Sequence, residues 1–112
     1  MGRWVMKFYL LNSPVLTDYG VWHYRGPIRL TEARFFMQQN AMESAIGHAS
    51  TAQYLSEILD TLVEVRRHAI QMAPGDQALV FRILERSVEG AVLDLLALSG
   101  MRSEFGILER TE

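Results

Sequence analysis

The chain has 112 residues, 49% of them hydrophobic and 21% charged, which describes one globular domain over 1–112 and excludes a disordered chain. It contains no cysteine, so a disulfide framework, a thiolate nucleophile and a cysteine-based zinc site are excluded, as suits a reducing cytoplasm. The formal net charge is −2 and the 11 Lys and Arg residues are spread along the chain, which argues against a protein that grips long nucleic acid by its phosphates.

The N-terminal stretch MGRWVMKFYLL is apolar but carries Arg3 and Lys7 and no small-residue cleavage site, so it does not read as a signal peptide. Residues 1–5 read instead as a leader ahead of a start at Met6. No apolar run is long enough to span a bilayer, and no membrane partner is expected. Trp4, Met6, Phe8 and Leu10 alternate with Val5, Lys7, Tyr9 and Leu11, which predicts a strand ended by Asn12, Ser13 and Pro14. The aromatic stretch VLTDYGVWHYRG predicts a packed loop or short hairpin, and PIRL a strand. Thr31 reads as the N-cap of a short helix with Ala33, Phe36 and Met37 at helical spacing.

Leu55, Ile58, Leu59, Leu62 and Val63 fall on one helical stripe, and Ser50 with Gln53 reads as a capping box at its start. VRRHAIQM and ALVFRIL predict two strands joined through APGD, with Pro74 and Gly75 at the centre of a type II turn and an antiparallel hairpin as the result. The second of these is apolar on both faces except at Arg82, as a central strand should be. ERSVEG predicts a charged loop, AVLDLLALSG an apolar helix closed by Gly100, and EFGILE a last strand. That helix is apolar enough to require burial by the sheet or by a second subunit. Together these elements predict an α/β fold: a small mixed sheet flanked by about three helices, with an antiparallel hairpin.

The stretch with most chemical content is AIGHAST, Ala45 to Thr51. An imidazole exchanges protons near neutral pH, and His48 stands just ahead of a helix whose first N–H groups lack partners, a natural place for an anion. Gly47 allows a tight turn or a close approach of backbone to ligand. The same residues also fit a plain turn, a cap and a surface histidine. Arg66 and Arg67 offer guanidiniums suited to phosphate, but neighbours on an extended chain point to opposite faces, so one of them at most serves a given site. His68 shares a face with Arg66 and reads as structural. Glu85, Arg86, Glu89 and Gly90 form a charged loop after a buried strand, a common location for ligand contacts and equally an ordinary solvated turn. His23, His48 and His68 have no metal-ligand spacing with carboxylates, and phosphate-loop, dinucleotide and serine-elbow motifs are absent, so neither a metal nor a cofactor is expected.

In order, LLNSPVL, AIGHAST leading into a helix, RHAIQM, the apolar strand, ERSVEG and EFGILE resemble the viral ring nuclease family. These are small proteins of archaeal viruses and phages that act against type III CRISPR defence, with cellular CRISPR-associated relatives. The resemblance runs from about Lys7 to Arg110 and is most specific in the Gly-His-x-Ser-Thr segment. It implies a two-fold homodimer that binds cyclic tetraadenylate and cleaves it without a metal to linear diadenylates. It implies His48, Arg86 and Glu89 as catalytic residues, and Asn12, Ser13, Gly47, Ser50, Thr51 and Arg67 as ligand contacts. Where the family often has Asp after the histidine, this chain has Ala49. Two other readings are a cyclic-oligonucleotide sponge or sensor that does not cut, and a small DNA-binding regulator. Glu57, Asp60 and Glu64 make the second helix unsuited to the last of these.

Overall fold

The computed structural model describes residues 6–67, 69–84 and 95–112. Five strands, β1 (Phe8–Leu11), β2 (Trp22–Ile28), β3 (Met42–Ser44), β4 (Gln77–Ile83) and β5 (Ser103–Arg110), form one mixed sheet in the order β2-β5-β4-β1-β3. The helices are α1 (Leu30–Gln39), α2 (Ala49–Leu59) and α3 (Leu95–Gly100). Among the described residues the chain therefore forms a small mixed α/β sheet with three helices.

β3, β1 and β4 run parallel to one another, while β5 is antiparallel to both β4 and β2. β4 is central, and both of its faces are buried. Leu79 and Phe81 pack with Leu10, Ile46, Leu55 and Leu59 in the larger core, under α1 and α2. Ala78 and Val80 pack with Tyr9, Leu11, Met72 and Leu108 on the opposite face. Arg82, the one charged residue of β4, lies opposite Glu104 in the β5 register and pairs with it at 3.4 Å. Leu98 of α3 is buried and Ala97 is exposed. Residues 91–94 and the ERSVEG loop lie outside the described residues.

The hairpin differs from expectation in its partner. The APGD turn is present: Asp76 N–H donates to Ala73 O at 3.0 Å, and Gly75 has φ +95°, the left-handed value a type II turn asks of its third residue. The segment before it does not pair with β4, because both edges of β4 are taken, by β1 and by β5. The antiparallel partner of β4 is β5, and Ile70 and Met72 cross the second face of the sheet instead. The buried Asp76 carboxylate fastens the turn to β1 by accepting Lys7 N–H at 2.9 Å and Ala73 N–H at 2.8 Å.

Both helix starts are earlier than expected. α1 is capped by Arg29 rather than Thr31, since Ala33 N–H already finds Arg29 O at 3.0 Å. α2 is capped by His48 rather than Ser50, and neither cap uses a side chain. α2 also ends early, at Leu59. Asp60 turns into the left-handed region with φ 53°, Ser56 Oγ accepts Val63 N–H at 2.8 Å, and Leu62 is left 81% exposed.

Burial of Tyr9, with the charges of Asp76 and then Glu43 adding to it, holds the phenol above its ordinary range. A raised value means the folded protein keeps the proton longer than the unfolded chain, so stability is intact below ~10, where a free phenol ionises, and falls as pH rises further. Tyr9→Phe is expected to flatten this alkaline limb in urea melts. A limb as steep in the variant as in the wild type would assign it elsewhere.

Candidate functional site

Because β3, β1 and β4 are parallel, their carboxyl ends share one edge of the sheet, the edge at which open α/β sheets commonly hold ligands. Asn12 and Ser13 follow β1, Ala45 to His48 follow β3, and the chain leaves β4 through Leu84. Ala45 N–H donates to Leu10 O at 2.9 Å, carrying the β1–β3 pairing one residue past the end of β3. Asn12 and Ser13 are exposed. Six of the residues singled out in the sequence, Asn12, Ser13, Gly47, His48, Ser50 and Thr51, thus belong to the first loop or to the AIGHAST turn at this edge.

His48 has extended backbone, φ −118° and ψ 131°, and its carbonyl accepts Ala52 N–H at 3.0 Å to open α2. Its side chain is exposed and makes no capping bond, so the imidazole stands at the mouth of the helix. Ala49, Ser50 and Thr51 form the first turn, whose N–H groups have no carbonyl four residues back within the helix. Thr51 is only 7% exposed, so it offers little surface to a ligand.

Arg67 completes the cluster, although it lies 20 residues away in sequence. Its Nε donates to Gly47 O at 2.7 Å. A Cβ on Gly47 would come within 3.2 Å of Arg67 Cγ. Gly47 is not needed for a left-handed turn; the missing side chain leaves room for the arginine. Arg66 is differently employed, 3.8 Å from Glu43 and 3.5 Å from Glu64. The two neighbouring guanidiniums take different partners, as alternation requires, and Arg67 is the one whose charge no carboxylate neutralises among the described residues. A cavity of about 260 Å³ runs along the same segments, lined by Leu10, Met37, Glu43, Ser44, Glu64 and Arg66 among others, but its cation is already paired.

Arg86 and Glu89, with Glu85 and His68, lie outside the described residues. Among the described residues no three His, Cys, Asp or Glu side chains gather as a metal site requires, and no helix is long and apolar enough to cross a membrane. Sequence reasoning missed the tie from Arg67 to Gly47, for which the sequence offers no signal beyond two adjacent arginines.

B116 of Sulfolobus turreted icosahedral virus (STIV) has the same fold: its solved structure matches with a TM-score of 0.72 over 93% of this chain and 99% of its own, at 21% identity. The uncharacterized protein YddF of Bacillus subtilis (strain 168) is 30% identical over 109 residues, which is 96% of this chain and 100% of YddF. The uncharacterized protein ORF117 of Acidianus two-tailed virus is 32% identical over 107 residues, 83% of each chain. A sequence profile of one viral family, STIV B116-like, matches residues 8–105. By that match, and by its likeness to YddF and ORF117, the chain belongs to the STIV B116-like family.

Proposed function

We propose that this protein is a metal-independent ring nuclease that binds cyclic tetraadenylate at the interface of a two-fold homodimer and cuts it to linear diadenylates. The observation that carries the reading is the exposed His48 at the start of α2, beside an Arg67 cation anchored on the adjacent Gly47 carbonyl. A proton donor, a fixed guanidinium and a helix N-terminus in one place suit a phosphodiester and its leaving oxygen.

In the reaction, a ribose 2′-oxygen attacks the adjacent phosphorus in line and its proton passes to water. The P–O5′ bond breaks, leaving a 2′,3′-cyclic phosphate, and His48 gives its proton to the departing 5′-oxygen. Arg67 offsets charge on the non-bridging oxygens. The nucleophile belongs to the substrate, so the protein needs to supply only position, a proton and charge. A cyclic ligand with its own two-fold axis matches a two-fold dimer, which would place one His48 at each of two opposed linkages. Removing this messenger would switch off type III CRISPR signalling in the cytoplasm of the host cell.

The test is incubation of the protein with labelled cyclic tetraadenylate in excess EDTA. Linear diadenylates ending in 2′,3′-cyclic phosphate are expected. An intact ring recovered bound would make the protein a sponge or sensor, and a ring neither bound nor cut would remove the reading altogether.

A further inference from the structure

Regular pairing of β3 stops at Ser44, yet the turn that follows is held by a segment on each side. On one side Ala45 N–H donates to Leu10 O. On the other side lies the segment from Glu64 to Arg67, with Ile46 and Val65 in a parallel bridge. Ser44 Oγ donates to Glu64 O at 2.6 Å and accepts Ile46 N–H at 3.3 Å. Arg66 N–H donates to Ile46 O at 2.8 Å, and Arg67 Nε to Gly47 O at 2.7 Å. His48 O is then taken by Ala52 N–H. Each residue from Ser44 to His48 is thereby anchored, although none after Ser44 belongs to a strand of the sheet.

We propose that Ser44 is a positioning residue: its hydroxyl locks the turn after β3 onto the Glu64–Arg67 segment and so sets where His48 stands relative to the scissile phosphate. Its role in catalysis rests on the ring-nuclease reading. Among the bonds of the described residues that fasten the turn to Glu64–Arg67, this hydroxyl alone joins both segments as donor and acceptor, which leaves it no proton for a ligand. Arg67 braces the same turn, but it is also a cation of the site, so its replacement would mix two effects. Ser44 separates them. A general acid gains its rate from placement, and an error of ~1 Å can cost ~10²-fold, so a turn that loses one of several anchors should lose less than that.

Ser44→Ala and Ser44→Thr are compared with the wild type in cleavage of cyclic tetraadenylate. For Ser44→Ala we expect kcat to fall about tenfold with KM within about twofold, the pattern of an interaction needed in the transition state and not in binding. Ser44→Thr, which keeps the hydroxyl, should restore kcat. Amide hydrogen exchange, read by NMR without substrate, should quicken at Ile46 and Arg66 in the alanine variant and not in the threonine variant. Quickened exchange with unchanged kcat would overturn the positioning role and leave the ring-nuclease reading standing. Unchanged exchange would overturn the brace itself. A wild type that does not cut the ring would remove the reading and the catalytic half of the proposal together, while exchange would still decide whether Ser44 holds the turn.

Discussion

His48→Ala is expected to bind cyclic tetraadenylate nearly as well as the wild type and to cut it slower by ~10²–10⁴-fold, the usual share of a general acid. On the proposed reading binding should survive, because the anion contacts would fall to other groups: Arg67, fixed through Gly47, and the backbone of the first turn of α2. The fold should survive as well. His48 caps α2 with its carbonyl and not with its side chain, and its imidazole is exposed. Alanine is a poor N-cap in general because it lacks an accepting oxygen, but here no side-chain bond is lost. Turnover can be read by chromatography of the products, and binding by retention of labelled ring. Wild-type turnover in the variant would dismiss His48 as the acid, and loss of binding with loss of turnover would make it a ligand contact.

Phe81→Ala is expected to cost about 3–5 kcal/mol, as large-to-small changes of buried aromatics do. Phe81 is 1% exposed in the central strand. Its ring lies 6.0 Å from Tyr54 of α2 and 5.4 Å from Phe105 of β5, both in tilted geometry. The side chain therefore joins the sheet to the helix that His48 opens, and its removal leaves a void that Leu79, Leu10 and Leu55 on their own elements cannot collapse to fill. Against a total stability of ~5–15 kcal/mol for a small domain, this is a loss that shifts most of the urea transition. Equilibrium urea unfolding measures it directly. A cost under about 1 kcal/mol would mean that the core repacks freely, and that α2 is held by α1 and α3 more than by the sheet.

The helix-to-sheet contact at Phe81 depends on features that local sequence specifies well. β4 reads as a central strand because Ala78 to Phe81 are all apolar, and the structure buries both faces of it. The α2 stripe was legible as far as Leu59. Leu62 continues the spacing but not the helix, since a competing bond from Val63 N–H to Ser56 Oγ and the left-handed Asp60 stop it. β3 was not legible at all: three residues, Met42 to Ser44, carry no period, and they become a strand only because β1 offers an unpaired edge. Helix starts moved by two residues for a related reason. Thr31 and Ser50 are good caps by residue type, but the chain reaches helical hydrogen bonding sooner, at Arg29 and His48, with backbone alone.

For the candidate site the division is similar. Gly47 and His48 stood out because a glycine and a histidine ahead of a helix are a local pattern, visible in seven consecutive residues. Nothing local distinguished Arg67 from Arg66. Only the fold does so, by laying the Glu64–Arg67 segment alongside Ser44 to Gly47, where one guanidinium meets a carbonyl and the other two carboxylates. The hairpin shows the same limit: Pro74 and Gly75 determined a turn, and they did make one, but which strand lies beside β4 was decided by competition for its two edges. What the sequence by itself determined was therefore everything with a short range: apolar faces, turn residues, and a histidine at a helix mouth. Partner choice among strands, the exit of α2 and the anchoring of the turn after β3 were decided by the tertiary structure, because each is a contest between hydrogen-bonding partners that meet only when the chain has closed.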